Sequence, residues 1–264
     1  MPEFDHDGWR LHYEDAGDGP PVLLAHGLLF DGRQFVPQVA ALSDRWRIVT
    51  PDARNHGQSE FRAEPYTQWD LMEDHIALLD HLDIDRAVWG GVSMGGFQSL
   101  RAALRYPDRV AGLVLIDSQA GAELDMAPMY EAAADLAVED GWTDDSAQLA
   151  GSVLFGASAS DELKREWIDW WQSVPTHSAR ELIQAVTRRD DITERLGEID
   201  VPAIVIHGEE DVAIPMERAE VMARGLPSTM DFVRIERGGH TSTLEQPDAV
   251  TEVVERFLTK VWPA

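Results

Sequence analysis

Residues 87–96 read Ala-Val-Trp-Gly-Gly-Val-Ser-Met-Gly-Gly, with the serine at position 93. An apolar run at 87–90 has strand character, and 94–106 reads as a helix that Pro107 ends. A serine held on so sharp a strand-to-helix turn is lifted clear of the sheet. Gly91 and Gly95, two positions either side, let the backbone pass without a Cβ clash. The Met94 amide then lies at a helix N-terminus, where free N–H groups favour a developing negative charge.

Outward from this turn, short apolar runs alternate with amphipathic segments, the pattern of βα units around a mostly parallel sheet. Strands are expected at 9–14, 22–25, 47–50, 87–90, 111–116, 203–207 and 231–235. The runs at 22–25 and 203–207 are apolar throughout, as strands buried on both faces should be. Helices are expected at 66–82, with Thr67 as N-cap, and at 247–257, which opens with proline. Residues 122–196 break the alternation and carry apolar side chains at helical spacing. They are expected to form a helical cap over a core made of residues 1–121 and 197–264. Trp167, Trp170 and Trp171 fall at i, i+3 and i+4, on one helix face, and suggest an aromatic wall for a substrate pocket.

The chain has 264 residues, with 22 Lys and Arg against 48 Asp and Glu, a formal charge of −26. So acidic a protein excludes nucleic acid and anionic membranes as partners, because phosphate contact needs clustered basic groups. Lys164 and Lys260 are the sole lysines. No cysteine occurs, which excludes disulfides, thiolate catalysis and cysteine-type zinc sites. The acidic start Met1-Pro2-Glu3-Phe4-Asp5 lacks a signal-peptide pattern, and no apolar stretch reaches the ~18 residues of a membrane span. A soluble, cytoplasmic protein is expected, and a homo-oligomer is compatible with the sequence. Metal-binding and phosphate-cradling motifs are absent, so no metal or cofactor is expected.

A serine hydroxyl needs a base to act as a nucleophile at neutral pH. His240 follows Gly238-Gly239 between the last strand and the final helix, which places it on a loop at the same sheet edge. A carboxylate must orient that base. Asp211 ends Gly208-Glu209-Glu210-Asp211 directly after the strand at 203–207, giving the chain order Ser, Asp, His. Asp117, after the strand at 111–116, is the rival. A second oxyanion donor is expected from His26-Gly27-Leu28-Leu29, where the Leu28 amide would join that of Met94. His26 and His207 read as braces, and Asp52 to Ser59 as a polar scaffold loop.

With elbow, loop, acid and base in this order, the chain resembles the α/β-hydrolase family across about residues 9–120 and 198–260. The string Gly91 to Gly96, with Leu113-Val114-Leu115-Ile116-Asp117 downstream, is most similar to 3-oxoadipate enol-lactonases and related small esterases. Those usually show Arg-Gly-His where this chain has Arg54-Asn55-His56. The resemblance implies an α/β-hydrolase fold and hydrolysis of a small ester or lactone through an acyl-enzyme. Carbon–carbon hydrolases of ring-cleavage products, cofactor-free perhydrolases and non-turnover receptors share the scaffold and stand as alternatives. Dehalogenases and epoxide hydrolases of the family use Asp at the elbow, so Ser93 argues against both.

Overall fold

Along the strand Pro21–Ala25, Leu23 and Ala25 enter one apolar core while Val22 and Leu24 enter another. The same period-two division runs through its neighbours, so a single sheet separates two helical layers. The computed structural model describes residues 2–123 and 126–263. Its strands are β1 (Glu3–His6), β2 (Trp9–Ala16), β3 (Pro21–Ala25), β4 (Arg47–Pro51), β5 (Ala87–Val92), β6 (Val110–Ile116), β7 (Ala203–Gly208) and β8 (Thr229–Ile235). They form an eight-stranded sheet in the order β1-β2-β4-β3-β5-β6-β7-β8. The β1–β2 and β2–β4 pairs are antiparallel, and every later pair is parallel. Strands β5, β6 and β7 are buried at every position, as parallel strands covered on both faces must be.

Among the described residues three α-helices precede the insertion: α1 (Val36–Leu42), α2 (Gln68–His81) and α3 (Met94–Arg105). Thr67 caps α2 through a capping box in which Asp70 Oδ2 accepts the Thr67 amide at 2.7 Å. Between β6 and β7 lie α4 (Ala127–Asp140), α5 (Asp144–Leu154), α6 (Asp161–Ser173) and α7 (Ala179–Thr187), an inserted helical region. The chain then adds α8 (Met216–Gly225), the short α9 (Ser242–Glu245) and α10 (Pro247–Val261). Helices α2, α3 and α8 cover one sheet face, and α1 with α10 the other. The sequence reading omits β1, α1 and α8. β1 has four residues with only Phe4 buried, and too few positions to show a period. No described helix is long and apolar enough to cross a membrane.

The insertion has its own aromatic cluster, in which Phe155, Trp167 and Trp171 close around Phe30 from the loop after β3. The Phe30 and Trp167 ring centroids are 4.6 Å apart with planes at 62°, an edge-to-face arrangement. Helix α6 is thereby pinned to the loop that carries Gly27 and Leu28.

Candidate active site

Ser93 sits between β5 and α3 with φ 50° and ψ −108°, a conformation costly for any residue bearing a side chain. The surroundings hold it there. The Ser93 amide donates to Ile116 O at 2.9 Å, and Ser118 Oγ donates to Ser93 O at 2.9 Å. A Cβ on Gly95 would collide with the Ala25 carbonyl, and one on Gly91 would stand 2.5 Å from the same oxygen. Both glycines are therefore dictated by how closely the elbow presses on β3.

The loop after β3 runs beside the serine, since a Cβ on Gly27 would lie 3.7 Å from Ser93 Cβ. His26 braces this loop: its Nδ1 bonds Gly27 O at 2.8 Å, and its Nε2 accepts the Ala53 amide at 3.0 Å. Gln34 Oε1 accepts the Gly27 amide at 2.8 Å. Leu28 and Ser93 line one cavity, and Met94 begins α3 directly behind the serine. The first-turn amides of a helix, that of Met94 among them, have no intrahelical acceptor.

His240 and Ser93 line the same cavity, of about 120 Å³. His240 Nδ1 bonds Asp211 Oδ2 at 2.8 Å, and Asp211 Oδ1 accepts the amides of Ala213 and Ile214, each at 2.9 Å. Burial opposes charge on His240, but Asp211 and, further off, Asp117 and Glu245 outweigh it and hold the imidazole pKa above its ordinary value.

The rival carboxylate has other work. Asp117 Oδ1 accepts the Gly208 amide at 2.8 Å, and Oδ2 accepts Ser242 Oγ at 2.6 Å and Ser242 N at 3.1 Å. It ties the ends of β6 and β7 to the start of α9. Asp117, His207 and Asp211 offer ligand atoms within 4.8 Å of one another. Each of the four carboxylate oxygens accepts a hydrogen bond from an N–H group, which ties the cluster into the surrounding loops.

The three tryptophans do not join Ser93 and His240. Trp167 and Trp171 are buried in the aromatic cluster, Trp171 Nε1 donates to Leu29 O at 2.8 Å, and the Trp170 ring lies under the Arg33 guanidinium at 4.2 Å. Their amphipathic spacing reflects packing of α6 onto the core. The wall of the cavity comes instead from Tyr130, Trp142, Leu149 and Leu154 of the insertion and Phe97 of α3. No periodic signal marks those residues as a set.

One polar group at this cavity, Arg189, reads from the sequence as a surface arginine of the insertion. It is buried instead, and lines the cavity together with Gln119 and Glu123. Its Nε and Nη1 are spent on Gly121 O at 2.9 Å and Val186 O at 2.7 Å, and Glu123 stands 3.6 Å from Nη2. Burial lowers its pKa to about 10, against the pull of Glu123.

The polar loop at 52–59 is a scaffold. Asp52 accepts Gly32 N and Gln58 N, each at 2.8 Å, and bonds His12 Nδ1 at 2.9 Å. Arg54 grips Asp74 through two bonds of 2.7 Å. Asn55 has φ 62°, the left-handed region that glycine favours and asparagine tolerates. Its side chain closes the turn by bonding Arg62 N at 2.7 Å and Arg62 O at 3.1 Å. Arg54-Asn55-His56 thus places asparagine, where Arg-Gly-His has glycine, at a backbone position of positive φ.

A family profile described as the alpha/beta hydrolase fold matches residues 20–247. The chain is similar to 3-oxoadipate enol-lactonase 1 of Acinetobacter baylyi, at 26% identity over 92% of this chain and 90% of that protein. Among solved structures it is similar to a thermophilic esterase from Thermogutta terrifontis, with a TM-score of 0.91 and 30% identity over 98% of this chain and 97% of that one. It is also similar to the enol-lactonase from Burkholderia xenovorans, with a TM-score of 0.87 and 29% identity over 98% of this chain and all (100%) of that one.

Proposed function

We propose that this chain, which belongs to the alpha/beta hydrolase fold family, hydrolyses a small carboxylic ester or lactone through an acyl-enzyme on Ser93. The observation that carries the reading is the 2.8 Å bond between His240 Nδ1 and Asp211 Oδ2, with His240 and the strained Ser93 facing one cavity. That bond leaves Nε2 of the neutral ring as the proton acceptor.

Ser93 Oγ attacks the carbonyl carbon as His240 takes its proton. The Leu28 and Met94 amides donate to the resulting oxyanion. The protonated imidazole of His240 returns the proton to the alcohol oxygen as the carbon–oxygen bond breaks, which leaves the acyl group on Ser93. Water then attacks with His240 again as base, and the acid leaves with Ser93 restored. The largely apolar walls favour a neutral acyl chain, and the Gln119, Glu123 and Arg189 group marks a polar margin.

The test is hydrolysis of p-nitrophenyl acetate, butyrate and octanoate, of simple γ-lactones and of an enol-lactone, by the parent and by Ser93→Ala. Serine-dependent turnover is expected. Turnover by Ser93→Ala near the parental rate would overturn the nucleophile assignment. Failure of the folded parent on every member of the panel would overturn the ester and lactone reading.

A further inference from the structure

The segment joining α5 to α6 crosses over the turn that carries His240. Glu245 Oε2 accepts the Gly156 amide at 3.0 Å and the Gly239 amide at 3.1 Å. Its Oε1 accepts Thr241 Oγ1 at 2.9 Å and the Thr241 amide at 3.3 Å. One carboxylate therefore bridges the helical insertion and both chain neighbours of His240. The approach leaves no room for side chains. A Cβ on Gly156 would lie 2.8 Å from Glu245 Oε2 and 3.0 Å from Gly239 N, and one on Gly239 would collide with the Gly156 backbone. Two more ties run alongside: Glu210 Oε2 accepts the Ala157 amide at 3.0 Å, and Ser158 Oγ donates to Arg237 O at 2.5 Å. The same segment is thus fastened beside both Asp211 and His240.

We propose that Glu245 is a positioning residue, which sets the His240 ring toward Ser93 and couples its placement to the seating of the 155–160 segment. The inference rests on the reading of Ser93, His240 and Asp211 given above. The Gly238-Gly239-His240 turn has no side chain ahead of the histidine with which to pack, so its placement falls to groups that hold its amides. Glu245 holds the amides before and after the ring. Facing it are the Gly156 amide of the insertion, Glu210 from the turn after β7, which approaches the same Gly156 position, and the charge of His240. Around His240 stand Asp211 and Asp117 from the sheet edge and Glu245 from α9. Burial pushes the Glu245 carboxyl above its ordinary pKa, against the four donors it accepts.

The experiment follows kcat, KM and the pH profile of p-nitrophenyl acetate hydrolysis for the parent, Glu245→Gln, Glu245→Ala and Gly156→Ala, with Ser93→Ala as control. Glu245→Ala is expected to lower kcat by up to ~10²-fold, with KM little changed. Glu245→Gln, nearly isosteric, should lose less. Its acid limb should move to lower pH, because a negative charge that stabilised the imidazolium is gone. Gly156→Ala keeps the Glu245 carboxylate but crowds it and wedges the segment away, and should lower kcat in the same way. Parental kcat and an unmoved acid limb in Glu245→Gln and Gly156→Ala would overturn the proposal, even with lowered thermal stability. Should Ser93→Ala retain turnover, the underlying reading fails as well. Should Ser93→Ala be inactive while the Glu245 and Gly156 variants match the parent, this inference alone fails.

Discussion

Asp211 divides its two oxygens between two tasks: Oδ2 holds His240 Nδ1 at 2.8 Å, and Oδ1 takes the amides of Ala213 and Ile214 at 2.9 Å each. The amide bonds fix the carboxylate against which the ring is oriented. Asp211→Asn keeps the shape but favours the wrong tautomer of His240. A fall in kcat of about 10⁴-fold is expected for p-nitrophenyl acetate, with an unchanged far-ultraviolet dichroism spectrum.

The pH profile follows from the same contact. A protonated His240 cannot accept the Ser93 proton, so activity should rise with pH as the ring deprotonates. Because Asp211, Asp117 and Glu245 hold that pKa above the ordinary value, the acid limb of kcat/KM should have its midpoint above ~6.5. Initial rates at saturating and limiting substrate from pH 5 to 9 would test this. A midpoint below the ordinary value would contradict it.

Acid stability should depend on two other histidines. Burial, with the neighbouring His26, depresses His56 and His75 to about 3. Their folded-state pKa lies below the unfolded value, so the unfolded chain binds more protons between those limits. The stability they contribute is present above pH ~6.5 and is lost as pH falls toward 3. The measurement is Tm at steps from pH 7 to pH 5. His75→Leu should lose Tm less steeply than the parent.

Arg54 and Asp74 form a pair buried to 4% side-chain exposure on each side, joined by two bonds of 2.7 Å. Asp74→Ala leaves the guanidinium buried beside the Trp9 ring, 5.0 Å away, with the exposed Asp7 at 3.6 Å in place of its buried partner. A loss of about 3–5 kcal/mol is expected by urea denaturation.

Trp142 lines the cavity of Ser93 and His240 and also a smaller one bounded by Asn55 and His56. Trp142→Ala should join the two and admit longer acyl chains. The ratio of kcat/KM for octanoate over acetate is expected to rise about tenfold. An unchanged ratio would show that Trp142 does not bound the acyl site.

The buried strands and the elbow were legible in the sequence because their requirements are local. A strand covered on both faces must be apolar at each position, as 203–207 is. A serine at φ 50° pressed against β3 must have glycines around it. The positions of Asp211 and His240 just beyond strands, and the Thr67 cap, were legible for the same reason. Three things were decided by tertiary packing alone. The tryptophans of α6 present one face, but a face does not say what it meets; here it meets Phe30 and Arg33. Arg189 becomes a cavity residue through the folding of α7 against the segment after β6, which brings it to Gly121 and Glu123. Glu245 finds Gly156 across 89 residues of chain. Periodicity and turn chemistry report how a segment must fold, whereas a contact between distant segments depends on the relative placement of whole elements, which no local pattern encodes.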